Sequence, residues 1–223
     1  MQQYTEPSET SLTSSLIGKC LVPVYDNLPK KILILNQLTK LEGGQLYSGT
    51  LRSILDRYYG VSVGPYSYGS LLAPGMADRG LEIGSYVSIG DQVRRYSAAH
   101  PLDDLSLHPF WYNASLGFTG PSNDVERTSC WIGHDSWVGS GSVILPKCSR
   151  IGIGSVIGAG SVVTSNVDDF AIVAGNPARP IGMRLDRDRR SRLLKAQPWL
   201  LPPERAKIAL REISSSIDDL ENS

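Results

Sequence analysis

What this sequence lacks narrows it first. It has three cysteines, Cys20, Cys130 and Cys148, an odd number with no paired metal-ligand spacing. That count, together with the lack of a signal peptide, argues against a disulfide framework and leads us to expect a cytoplasmic protein. Charge of neither sign dominates: 22 Lys and Arg balance 22 Asp and Glu. No basic excess therefore points to nucleic acid or to an anionic membrane face. The longest apolar run, Ile32 to Leu35, is far too short to span a bilayer, so stable membrane insertion is not expected. Histidines number three, at positions 100, 108 and 134.

What the sequence has in quantity is glycine, 22 residues, and much of it falls in one stretch, IGHDSWVGSGSVILPKCSRIGIGSVIGAGSVV, residues 132–163. Aliphatics recur at Ile132, Val138, Ile144, Ile151, Ile157 and Val163, in steps of six except for the seven from Ile144 to Ile151. A small residue follows five of them (Gly133, Gly139, Gly152, Gly158 and Thr164), the exception being Leu145. Four positions after each aliphatic come Ser136, Ser142, Cys148, Ser155, Ser161 and Val167, and this places Cys148 inward as a buried reduced thiol. A period of six fits neither a helix nor an ordinary hairpin sheet. It fits a β-solenoid in which three short strands close one coil and like residues stack about 4.8 Å apart.

In chain order, residues 1–27 are polar and read as a loosely ordered arm. Residues 28–60 read as a helical cap, with Ile32, Leu35, Leu38 and Leu41 at helical spacing and a second helix starting after Ser48 as N-cap. Such a cap covers the end of a solenoid that otherwise exposes core and edge. The solenoid is expected over residues 61–182. It breaks at Arg95, where an aliphatic is due, and a long insertion, residues 96–130, follows with two histidines and the aromatic group Phe110, Trp111, Tyr112 and Phe118. Long insertions in regular repeats usually carry function. Residues 183–223 read as two helices, the first strongly basic.

These motifs resemble the hexapeptide-repeat acyltransferases, in the branch of xenobiotic and polysaccharide O-acetyltransferases. The residues that carry the resemblance are VGPYSYGS (63–70), IGSYVSIG (83–90), AAHPLDD (98–104), HPFWYN (108–113), IGHDSWVGSGSVIL (132–145), IGAGSVVT (157–164) and AGNPARPI (174–181). The fold implied is an all-β solenoid, a left-handed parallel β-helix with N- and C-terminal α-helical extensions and a long excursion loop. A homotrimer with acetyl-CoA and acceptor in clefts between subunits is implied as well.

Transfer of an acetyl group to a hydroxyl needs a base, donors for the oxyanion and two aligned substrates. His100 matches the family's catalytic histidine and is the candidate general base, with Asp103, Asp104 or a backbone carbonyl as candidate partner of its second ring nitrogen. His108 reads as loop packing, and His134 as an outward position in a hexapeptide. By resemblance, Gly139, Ala159, Thr164 and Ser165 would meet the pantetheine arm of acetyl-CoA, and Arg179 and Arg184 its phosphates. Trp111, Tyr112 and Asn113 are candidate acceptor contacts, suited either to a pyranose or to a hydrophobic antibiotic. The function expected is an acetyl-CoA-dependent O-acetyltransferase acting on a sugar or glycan precursor, without a metal. The alternatives are an antibiotic acetyltransferase and a catalytically silent β-helix scaffold. The histidine spacing does not suit the three-histidine zinc site of β-solenoid carbonic anhydrases.

Overall fold

The protein's computed structural model describes residues 12–221, with side chains to residue 215. Its centre is a coil of very short strands. They are β1 (Val61–Val63), β2 (Tyr68–Gly69), β3 (Leu81–Ile83), β4 (Ser88–Ile89), β5 (Arg94–Arg95), β6 (Cys130–Ile132), β7 (Trp137–Val138), β8 (Val143–Ile144), β9 (Arg150–Ile151), β10 (Val156–Ile157) and β11 (Val162–Val163). They form three parallel sheets, in the orders β1-β3-β6-β9, β2-β4-β7-β10 and β5-β8-β11. From β3 to β11 successive strands visit the three sheets in turn, so the sheets are the faces of a triangular prism and three strands make one coil. Registers stack like on like: Ile83 on Ile132 on Ile151, Ile89 on Val138 on Ile157, and Ile144 on Val163. These residues fill the lumen and are buried.

Close approach explains the glycines that follow them. A Cβ on Gly133 would stand 2.5 Å from the Ile153 amide nitrogen of the next coil, and one on Gly139 equally close to that of Ala159. The inward serines satisfy the corner carbonyls. Ser136 Oγ donates to the Gly133 carbonyl at 2.7 Å, and Ser142 Oγ to that of Gly139 at 2.7 Å. At the edge between the first two faces each coil turns through one left-handed residue, and Tyr66, Tyr86, Asp135, Gly154 and Phe170 form a column there. Only Gly154 adopts that conformation freely; the others cost about 1 kcal/mol each. The bulk at this edge carries the C-terminal segment.

The repeat does not break at Arg95. That residue pairs with Ile144 in β5–β8 and points into the lumen, 1% exposed. A guanidinium is tolerated there because carbonyls face it: Nη1 donates to Arg79 at 3.1 Å and Nη2 to Thr128. The excursion begins only after Arg95. The seven-residue step is absorbed at the next corner of the same edge, and Ile151 returns in register with Ile132.

Both ends are covered. Residues 1–11 of the expected arm lie outside the described residues, but residues 12–27 are folded rather than loose. Helix α1 (Leu16–Leu21) leads into a 3-10 turn, Val22–Asn27. The buried Glu42 carboxylate holds this segment, accepting from the Ser15 amide and hydroxyl at 2.8 Å each, Ser48 Oγ at 2.7 Å and Thr50 Oγ1 at 2.6 Å. Helix α2 (Lys31–Leu41) and helix α3 (Gly49–Ile54) bury Leu35, Leu38, Leu51 and Ile54 in one cluster with the first coils. Ser48 caps α3 as its sequence predicts, accepting from the Leu51 amide at 3.1 Å.

At the other end β12 (Ala171–Gly175) adds to β10 in parallel, and β13 (Ala178–Met183) folds back on it antiparallel. Helix α4 (Arg187–Ala196) and helix α5 (Pro203–Glu221) then return to the corner column. Phe170, Leu193 and Trp199 form a second apolar cluster there, joined by Tyr86, Ile153 and Leu200.

Candidate active site on the excursion loop

The excursion is pinched shut where it leaves and rejoins the prism. The Thr128 amide donates to the Ser97 carbonyl at 2.8 Å, and Thr128 Oγ1 reaches the Pro146 carbonyl at 2.8 Å. Asp78 accepts from the Ser97 amide at 2.7 Å. His100 follows this clamp by three positions, so the prism wall fixes where its backbone starts. The side chain is exposed. Its Nδ1 lies 2.8 Å from the Leu107 carbonyl and 2.9 Å from the Tyr112 hydroxyl. Neither Asp103 nor Asp104 takes that place. A carbonyl only accepts, so the hydrogen sits on Nδ1 and the Nε2 lone pair is left for chemistry.

The other two histidines are occupied differently. His108 caps the 3-10 turn Pro109–Trp111, its Nδ1 accepting from the Phe110 amide. His134 faces away from the lumen, yet it is only 5% exposed because Trp199 stacks over it at 5.9 Å. Its Nδ1 accepts from the Ser85 amide at 2.9 Å, and burial pushes its pKa down to about 4. That histidine is neutral and structural.

The three candidate acceptor contacts part company. Trp111 is 55% exposed beside His100's loop, with Phe118, Leu102 and Leu105 also open to solvent. Tyr112 is turned inward, 8% exposed, with its hydroxyl on His100. Asn113 caps a second 3-10 turn, Ala114–Leu116, its Oδ1 accepting from the Ser115 amide at 3.1 Å.

The candidate acetyl-CoA residues also divide. Thr164, Ser165 and Arg179 line one groove of about 150 Å³ at the C-terminal end of the prism, with Val163, Val173 and Ala178 as its apolar floor. This groove opens at the edge that follows β11. The excursion bearing His100 leaves the same edge after β5, two coils, or about 10 Å, along the axis. Gly139 and Ala159 stack together on the neighbouring edge. Arg184 is elsewhere: its Nη1 pairs with Asp135 at 3.1 Å and with the Gly154 carbonyl at 3.2 Å, on the corner column under the C-terminal segment. Burial raises the Asp135 pKa more than Arg184 lowers it. Arg184 is thus committed to a tether, whereas the Arg179 guanidinium, among the described residues, donates to the neighbouring Ala178 carbonyl alone and is exposed.

Sequence reading missed Tyr112's inward turn, since HPFWYN gives no sign of which aromatic faces the histidine. It missed the lumenal Arg95 because periodicity marks a charged residue as a break. Among the described residues no group of three His, Cys, Asp or Glu side chains is placed to hold a metal, and no helix is long and apolar enough to cross a membrane.

No protein-family model matches the chain. Curated relatives do. The chain is 36% identical over 178 residues to a chloramphenicol acetyltransferase of Agrobacterium fabrum, covering 69% of this chain and 81% of that protein. It is 36% identical over 141 residues to a chloramphenicol acetyltransferase of Klebsiella aerogenes, covering 61% and 67%. A galactoside O-acetyltransferase of Lactococcus lactis is 33% identical over 101 residues, covering 45% and 42%.

Proposed function

Because the chain belongs to the hexapeptide-repeat acyltransferases, we propose that it is an acetyl-CoA-dependent acetyltransferase in which His100 is the general base. The observation that carries this reading is the Leu107 carbonyl 2.8 Å from His100 Nδ1, which leaves Nε2 as an exposed base. In the reaction Nε2 takes the proton of an acceptor hydroxyl as its oxygen attacks the thioester carbonyl. The carbon–sulfur bond breaks, and the departing thiolate is protonated by the imidazolium. The groove of Thr164, Ser165 and Arg179 receives part of acetyl-CoA, with the Arg179 guanidinium on a phosphate. Gly139 and Ala159 border the pantetheine arm. The active assembly is a homotrimer, with acetyl-CoA and acceptor bound in clefts between neighbouring subunits.

We read the acceptor as a hydroxyl-bearing antibiotic of the chloramphenicol kind rather than a sugar. Leu102, Leu105, Trp111 and Phe118 give the loop near His100 an apolar exposed surface, and the two chloramphenicol acetyltransferases above align over 81% and 67% of their length. A sugar acceptor is the second reading, supported by the exposed Trp111 ring, which suits a pyranose face.

Calorimetric titration with acetyl-CoA, followed by thiol-release assays on chloramphenicol, a macrolide and simple galactosides, tests both parts. Micromolar acetyl-CoA binding with turnover of chloramphenicol is expected. Absence of saturable binding up to millimolar acetyl-CoA removes the transferase reading, and turnover of galactosides alone reverses the choice of acceptor.

A further inference from the structure

Tyr112 sits between two local caps. His108 starts the turn before it and Asn113 starts the turn after it. The backbone there is pinned twice within six residues, and the Tyr112 side chain is 8% exposed where Trp111 is 55% exposed. Its ring meets the His100 ring edge-on, with centroids 5.8 Å apart and planes at 88°. Its hydroxyl oxygen is 2.9 Å from Nδ1, the same atom that faces the Leu107 carbonyl at 2.8 Å.

Two oxygens thus converge on one ring nitrogen. Were the Tyr112 hydroxyl to donate to an Nδ1 lone pair, that lone pair would also face the Leu107 carbonyl oxygen, which has no hydrogen to give. The consistent arrangement puts the hydrogen on Nδ1 and shares it between the two oxygens. Tyr112 then accepts, and its own hydrogen points away from the histidine. When Nε2 captures the acceptor's proton, the ring becomes an imidazolium and its Nδ1–H a stronger donor. Hydrogen bonds involving a charged partner are roughly twice as strong as neutral ones. Both oxygens therefore favour the imidazolium that forms as Nε2 takes the acceptor's proton.

We propose that Tyr112 is a positioning residue for His100, which fixes the ring's orientation through Nδ1 and supports the imidazolium without touching the acceptor. This proposal rests on the reading of His100 as the base.

The test is Tyr112→Phe, which removes one oxygen and keeps the ring, beside His100→Ala, with acetyl-CoA and chloramphenicol as probes. The expected result is a kcat reduced about tenfold, with both KM values within about twofold. In the free protein, nitrogen-15 NMR should show the His100 Nδ1 proton exchanging about tenfold faster in the variant, a readout that needs no turnover. An unchanged kcat, an unchanged exchange rate, or a raised acceptor KM at constant kcat each overturns the proposal. A fully active His100→Ala removes the reading and the proposal together, whereas an inactive His100→Ala with a fully active Tyr112→Phe removes the proposal alone. If Tyr112→Phe does not fold, 3-fluorotyrosine placed at position 112 weakens the acceptor oxygen at nearly constant volume and carries the same predictions with a smaller effect.

Discussion

The Thr128 amide donates to the Ser97 carbonyl at 2.8 Å, joining residues 31 positions apart at the base of the excursion. Arg95, two residues before the clamp, reaches the Thr128 carbonyl from inside the lumen. The candidate base is therefore carried on a loop whose two feet are tied to the prism and to each other. A loop of this length closed only by chain connectivity would leave His100 without a defined place relative to the edge it shares with Thr164 and Ser165.

Arg95 fills a lumenal position and satisfies two loop carbonyls, so its replacements should separate those roles. Arg95→Ala is expected to lower unfolding free energy by about 3 kcal/mol or more, through a cavity and two unpaired carbonyls. Arg95→Leu restores the volume that Ile144 and Val163 supply on the same face and should lose less. Both should lower kcat. Chemical denaturation showing equal losses for Ala and Leu would contradict the lumenal placement.

Glu42 ties the N-terminal segment to α3. Burial alone would raise its pKa, but donation from Thr50, Ser48 and Ser15 outweighs it and holds the carboxyl below its usual value. A carboxylate lowered in the folded state contributes stability that is present above pH about 4.5 and fades as pH falls through the folded value. Glu42→Gln should reduce stability at pH 7 and flatten its acid dependence below that point, as read by thermal melting across pH. Parallel wild-type and variant profiles would refute this.

His134 makes the opposite type of group matter in a higher window. Its folded pKa is about 4 against 6.5 when free, so the unfolded chain binds the proton first. Stability is full above about pH 6.5 and declines as pH falls toward 4, by up to about 3 kcal/mol. His134→Asn keeps an acceptor for the Ser85 amide but cannot titrate, and the difference between the two melting profiles should be absent above about pH 6.5 and build up across that window. A difference that persists unchanged at pH 8 would point to packing against Trp199 instead.

The two arginines expected to meet phosphate should behave unlike each other. Arg179→Ala is expected to weaken acetyl-CoA binding about tenfold, because its exposed guanidinium borders the groove. Arg184→Ala should leave that affinity within about twofold and cost under about 1 kcal/mol of stability, because its partner is Asp135 on a half-exposed edge. Calorimetry giving the reverse order would move the phosphate site to the corner column.

Much of this architecture is legible in the sequence, for a physical reason. The lumen of a prism three strands wide is filled by an aliphatic from each face of each of these coils, and the close coil above forbids a Cβ on the glycine after it. The pattern aliphatic, then small, is thus forced at Ile132–Gly133 and Val138–Gly139. Ser48 likewise announces α3, since a helix start needs an acceptor for its free amides. What stays hidden depends on contacts distant in sequence. Residues 12–27 look unstructured because their anchor, Glu42, lies beyond them. Arg95 looks like a break because the carbonyls that admit it come from Arg79 and Thr128. The corner tyrosines and Phe170 gain meaning only once Leu193 and Trp199 pack beside them. Within the site, His100 is marked by its motif, while the residue string does not distinguish the inward Tyr112 or the caps His108 and Asn113 beside it from acceptor contacts.

The most direct test of the account is the rate of acetyl transfer to chloramphenicol by His100→Ala, measured as thiol release beside the calorimetric affinity of the same variant for acetyl-CoA. A base that acts only in the chemical step predicts a kcat lower by about 10²- to 10⁴-fold with the affinity for acetyl-CoA unchanged. A variant that retains its rate within a few-fold would contradict the assignment of His100 and, with it, the reading of the excursion loop as the catalytic element.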